Sequence, residues 1–151
     1  MNQPTRQAER RLDPRELEEA GRAFVATWCR SQGEVAGHVP PSQLHALEAV
    51  HARPGISVRD LAAELHAIPS SASRLCDRLV AANLLARLPS DADRRLVELR
   101  LTAQGEELMR DLTRQRRLDL EAVLDRLTAE QRDRLLEGLT AFAAQSGADD
   151  R

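Results

Sequence analysis

The stretch from Ile56 to Thr102, ISVRDLAAELHAIPSSASRLCDRLVAANLLARLPSDADRRLVELRLT, leaves this chain fewer ways to fold than any other part of it. Ser57 stands where it caps a short helix from Val58 to about Leu65, and Asp60 three positions on makes a weak capping box with it. Leu61 and Leu65 face inward on that helix. His66, Ala67 and Ile68 form a turn, and Pro69 opens the next helix at its first position, where proline's missing N–H costs nothing. At 100° per residue Ala72, Leu75, Cys76, Leu79 and Val80 share one arc, while Ser70, Ser71, Ser73, Arg74, Asp77 and Arg78 share the opposite one. Asn83, which tolerates the left-handed conformation, ends the helix. Leu84 to Leu88 reads as a strand, Pro89 to Asp93 as a polar turn, and Leu96 to Thr102 alternates apolar with polar side chains. That is an antiparallel hairpin with one buried face, carrying Arg94 and Arg95 at its tip. Ile56 is placed to add a one-residue strand to it.

Helix, turn, helix and hairpin together spell a winged helix-turn-helix, in a chain that is otherwise mainly α. The second helix has the chemistry of a helix entering a major groove end-first. Serines let the backbone approach, the helix N-terminus favours phosphate, and Arg74 and Arg78 reach bases or backbone. A projecting hairpin with arginine at its tip suits the negative potential of the minor groove. Between Pro69 and Arg100 six arginines face four acids, a local charge of +2 in a chain of formal net charge -2. The excess is small, so placement carries the argument rather than total charge.

The flanks read as helical scaffold. Asp13 caps a helix from Pro14 to about Ser31 whose stripe is Leu17, Ala20, Phe24 and Trp28. Gly33, Gly37 and the pair Pro40-Pro41 read as a loop. Ser42 is placed to cap a helix through about Ala52 with Leu44, Leu47 and Val50 inward. Thr102 caps a long helix to about Arg126 whose charged middle, Arg114 to Asp119, reads as solvated or as the rim of an interface. Thr128 and Gln131 form a capping box for a last helix to about Ala144, striped by Leu135, Leu136, Leu139 and Phe142. Aromatics make up only 2% of the 151 residues, so the core is aliphatic, which suits helix-on-helix packing. All 22 basic residues are arginine, a compositional bias that still supplies bidentate forks for phosphate and guanine.

These residues resemble the MarR family of bacterial transcription regulators. The likeness rests on ISVRDLAAEL, SSASRLCDRLVAANLLAR and above all DADRRLVELRLTAQGEEL, with its Asp-Arg-Arg tip, its strand ending Leu-Thr and its glycine three residues beyond. It covers about Ser42 to Leu139. It implies a homodimer on a pseudo-palindromic double-stranded DNA operator, most often a repressor that a small-molecule effector releases. It implies base and phosphate contacts from Ser70, Ser71, Ser73 and Arg74. Arg95 would enter the minor groove braced by Asp93, with Arg94 near phosphate. The implied organisation is an N-terminal tail over 1–11, a single domain over 12–145 and a C-terminal tail over 146–151. Within the domain, 12–37 and 103–145 dimerise and 42–102 forms the DNA-binding lobe. Two positions depart from the family pattern: Asn83 stands where glycine is usual, and Ile68 where a polar cap is usual.

Plainer readings stand beside these. Arg74 and Arg78 also suit a solvated helix face, and Asp93 with Arg95 a turn salt bridge. A winged helix used only for protein contacts would present an apolar or acidic outer face, whereas this face is Ser and Arg. Phe24, Trp28 and His45 are the candidate effector contacts, although the spacing of the two aromatics equally suits core or dimer packing. Cys29 and Cys76 form no metal motif or disulfide framework, and both read as buried, inert thiols in a reducing cytoplasm. His45 and His51 are six apart and share no helix face, so no metal or other cofactor is expected. No phosphate loop, metal-ligand helix or nucleophile elbow points to an enzyme. No apolar run approaches the 18 residues of a membrane span, and the polar N-terminus is no signal peptide, so a cytoplasmic location is expected.

Overall fold

A computed structural model describes residues 12–90 and 96–146. Six helices and three strands follow in the order α1 (Pro14–Ala36), α2 (Pro41–Ala52), β1 (Ile56–Ser57), α3 (Val58–Glu64), α4 (Pro69–Ala81), β2 (Leu85–Pro89), β3 (Val97–Leu101), α5 (Ala103–Leu124) and α6 (Ala129–Ser146). The strands form one antiparallel sheet in the order β1-β3-β2. Ile56 pairs with Leu99, as the lone apolar residue before the first short helix suggested. The wing therefore belongs to a three-stranded sheet.

Local chemistry sets the boundaries. Asp13 Oδ1 accepts from Arg15 N, Ser57 Oγ from Asp60 N, and Thr102 Oγ1 from Gly105 N, so three helices begin on side-chain caps. Thr128 and Gln131 exchange the two bonds of a capping box at the start of α6. Ser42 caps nothing: α2 begins one residue earlier, at Pro41, behind Pro40, because two prolines preset the backbone and leave one fewer donor to satisfy. α1 runs five residues past Ser31 and takes in Gly33, so the expected loop shrinks to the turn around Gly37. Asn83 adopts φ 57°, the left-handed conformation its sequence position called for, and its carbonyl accepts from the Thr102 hydroxyl at 2.6 Å. The end of α4 is thereby tied to the start of α5.

The core lies inside the winged lobe. Leu44, Leu47 and Val50 of α2, Leu61 of α3, Cys76 and Leu79 of α4, and Leu85 and Leu99 of the sheet close around Met109 and Leu112 of α5. Each such side chain contributes about 1.5–3 kcal/mol by leaving water. Gly105 is buried where α5 crosses the start of β2, and a Cβ there would collide with the Leu84 carbonyl oxygen.

The long helices are covered differently. α1 packs along α5, but through small residues: Ser31 and Ala36 are buried and Gly21 is half-buried. Small side chains bring the axes close, and the expected stripe of Leu17, Phe24 and Trp28 is left at the surface together with Val25. Cys29 goes with it and is exposed, not buried as its sequence neighbourhood suggested. α6 has no buried residue, and Leu136 and Phe142 are 68% and 62% exposed. Among the described residues no helix is long and apolar enough to cross a membrane. Of the expected tails over 1–11 and 146–151 only Ser146 is among the described residues, and it is not tail but the last residue of α6.

Candidate nucleic-acid interface

The outer face of α4 follows from its two arcs. Ala72, Cys76 and Leu79 are buried, which turns Ser70, Arg74, Asp77 and Arg78 to the outside. Ser71 and Ser73 are half-buried on the flank. Arg78 lies along its own helix, its Nε donating to the Arg74 carbonyl at 3.4 Å. Ile68 stands at the N-cap without a side-chain bond to the helix, so the sequence departure at that position is a real loss of a cap. Pro69 at the first position offsets part of it by presetting φ. Asp93, Arg94 and Arg95 lie outside the described residues.

One residue that sequence reasoning passed over binds α4 to the wing. Arg87 pairs in register with Leu99, so the two side chains share a sheet face, and Leu99 is fully buried. Arg87 therefore points at α4. Its Nη2 lies 3.2 Å from the Ser73 carbonyl, 3.2 Å from Ser73 Oγ and 2.9 Å from Asp77 Oδ1. Beside it, burial pushes the Cys76 thiol up, while the Arg87 guanidinium draws it back down. The buried thiol is packing, as its inner-arc position indicated. The signal in the sequence was parity: Arg87 sits two residues from Leu85, on the inward face of a strand otherwise read by its apolar positions.

On the other side of the wing, Glu98 of β3 accepts from Arg100 Nη2 at 3.0 Å. The Ser90 hydroxyl and then Arg100 hold its carboxyl below the usual carboxylate range. Ser90 stands where the hairpin leaves the sheet, its N donating to the Leu96 carbonyl at 2.9 Å across the base, while Arg100 lies further along β3, paired with Ala86.

The candidate effector residues divide. Phe24 and Trp28 stack with ring centroids 6.3 Å apart, and the Arg116 guanidinium lies 4.4 Å over the Trp28 ring. Arg116 also reaches Glu48 of α2 at 2.5 Å. It is buried, and its Nε has no hydrogen-bond partner among the described residues. The charged middle of α5 is thus not simply solvated or a rim: Arg116 follows Leu112 by four and occupies the inward stripe. Asp119 is tied in as well, accepting from Ser31 at 2.7 Å and Gln115 at 3.1 Å. His45 is exposed on α2. None of the three lines the groove of about 350 Å³ between α2 and α5, whose walls include His51, Met109, Arg110 and Arg117. Among the described residues no group of three His, Cys, Asp or Glu could hold a metal ion.

Comparison with known proteins agrees with this geometry. Residues 39–96 match a family model described as MarR family. The chain is 30% identical over 114 residues to the HTH-type transcriptional repressor MdtR of Bacillus subtilis, covering 74% of this chain and 72% of that protein. It is 31% identical to the crystal structure of RV1404 from Mycobacterium tuberculosis, with a TM-score of 0.80 over 86% of this chain and 89% of that one. Streptococcus pneumoniae FabT, solved in complex with DNA, shares the fold at 20% identity and a TM-score of 0.73, over 92% of this chain and 100% of FabT.

Proposed function

Because this chain belongs to the MarR family and is a winged helix-turn-helix DNA-binding transcriptional regulator, we propose that it works as a homodimeric repressor on a pseudo-palindromic operator. The observation that carries the reading is the division of its exposed surface. The outer face of α4 offers Ser70, Arg74 and Arg78, whereas α1 and α6 offer Phe24, Val25, Leu136 and Phe142. One surface suits phosphates and base edges; the other suits a second copy of the same helices. Arg94 and Arg95, with Asp93, complete the interface at the wing tip in this reading, and Ser71 and Ser73 flank it. The protein acts in the cytoplasm, where its DNA is. MdtR is named a repressor, which supports the sign of regulation.

Release by a small molecule is the regulatory half of the proposal. Phe24 and Trp28, with His45 nearby in sequence to Glu48, mark the region where α1 and α5 meet α2. Arg116 joins all three helices there, so a ligand that displaced it would alter how the lobe sits on the long helices.

Selection of bound duplexes from a random pool tests the first part. A pseudo-palindrome with half-sites about one helical turn apart is expected. Enrichment of no sequence, or of single half-sites by a monomer in sedimentation, would sink it. On the selected duplex, Arg74→Ala is expected to cost about 1–3 kcal/mol, with relaxed preference at one base pair.

A further inference from the structure

The ion pair and hydrogen bonds between the wing and α4 go beyond holding a hairpin in place. Asp77 lies on the same outward arc as Ser70, Arg74 and Arg78, and its side chain is 62% exposed. A bare carboxylate there would face the phosphates of any duplex that α4 enters, at a range where salt does not screen it. Arg87 removes that conflict, since its guanidinium stands 2.9 Å away. The same nitrogen meets Ser73 Oγ and the Ser73 carbonyl. An arginine has no acceptor atom, so Ser73 Oγ accepts from it. The Ser73 proton then has no acceptor among the described residues, unlike those of Thr27, Thr140 and Ser146, which return to their own helices.

Resting on the reading of α4 as the DNA-reading helix, we propose that Arg87 is a specificity-determining positioning residue. From the first strand of the wing it neutralises Asp77 and fixes Ser73 as a hydrogen-bond donor toward DNA. The outer face of α4 then reads as one set: donors from Ser73, Arg74 and Arg78, and one carboxylate oxygen of Asp77 left to accept, as from a cytosine amino group. The wing and the helix move as one reader, because a single guanidinium spans both.

The test compares wild type with Arg87→Ala, Arg87→Lys, Asp77→Asn and the Arg87→Ala/Asp77→Asn pair. The probes are the duplex that wild type selects from a random pool and a scrambled duplex of the same length. Arg87→Ala is expected to lose about tenfold or more on the selected duplex and less on the scrambled one, since the freed Asp77 carboxylate repels phosphate in both whereas the Ser73 donor is lost only where a base is read. Adding Asp77→Asn is expected to recover a large part of that loss. Arg87→Lys keeps a point charge near Asp77 but lacks the fork, so it is expected to keep scrambled-duplex binding and lose discrimination. Circular dichroism and melting of each variant establish that it is folded, and Arg87→Lys carries the comparison if Arg87→Ala is not. Equal weakening on both duplexes with a salt slope lower by about one contact, and no rescue by Asp77→Asn, would make Arg87 a phosphate contact and overturn the proposal. Unchanged discrimination in folded Arg87→Ala and Arg87→Lys would overturn it too. If wild type selects no duplex at all, what fails is the DNA-reading premise, which is separate from how Arg87 behaves.

Discussion

Single residues in this protein act mostly by joining elements. Gly105 is the smallest case. It lets α5 cross against the Leu84 carbonyl, where any side chain collides with backbone. Gly105→Ala is expected to destabilise the fold by about 1–3 kcal/mol in urea unfolding, an overpacking cost that backbone atoms cannot easily relieve. Arg116 is the opposite case, a large charged group taken into the interior. Glu48 and the face of Trp28 compensate it. Glu48→Ala leaves a buried guanidinium without its counter-charge, and a loss of about 3 kcal/mol is expected in the same measurement. Equal stability of that variant would show that Arg116 finds water instead. Neither Arg116 nor Arg87 was legible from periodicity, because a stripe is read by its apolar members. Each arginine occupies an inward position, and its partner acid lies on a different element, Glu48 of α2 for Arg116 and Asp77 of α4 for Arg87. A single sequence does not say which distant acid meets which base.

Elements were easier to read, and for a physical reason. Caps and turns are local, so Ser57, Pro69, Asn83, Thr102 and the Thr128–Gln131 box declare themselves within four residues. The misplaced ends, Ser42 and the early stop at Ser31, fall where proline and glycine allow more than one outcome. The wing shows how an element carries a pH dependence. Ser90 and Arg100 hold the Glu98 carboxyl below the usual carboxylate range, so its contribution to the wing is present above that range. It is lost as pH falls through the lowered value. Glu98→Gln is expected to be less stable than wild type at neutral pH, with the gap closing in acid melts. A gap that stays constant across the acid range would remove Glu98 from the linkage.

At the scale of the whole molecule, the lobe is finished and the long helices are not. Leu44, Leu61, Leu79, Leu99 and Leu112 are fully or almost fully buried inside one chain, while α6 contributes nothing to that core. The two stripes the sequence displayed on α1 and α6 are therefore not core stripes of a single chain. Amphipathic patterning marks a face that wants cover, and it is silent on whether the cover is the same chain or another. A dimer of these faces makes the apparent melting temperature rise with protein concentration, each tenfold adding about 1.4 kcal/mol. Replacing Leu136 and Phe142 together with Asp is expected to give a monomer in sedimentation and to abolish that dependence. A wild type whose melting is independent of concentration would argue against the pairing.

The uncovered α6 also bears on turnover. A chain newly released from the ribosome holds 18 residues of helix, Ala129–Ser146, none of them buried among the described residues. Unshielded helices open readily, and opened backbone is what proteases cut. Resistance of the chain to a protease is therefore expected to rise with its concentration, as α6 faces come together in pairs.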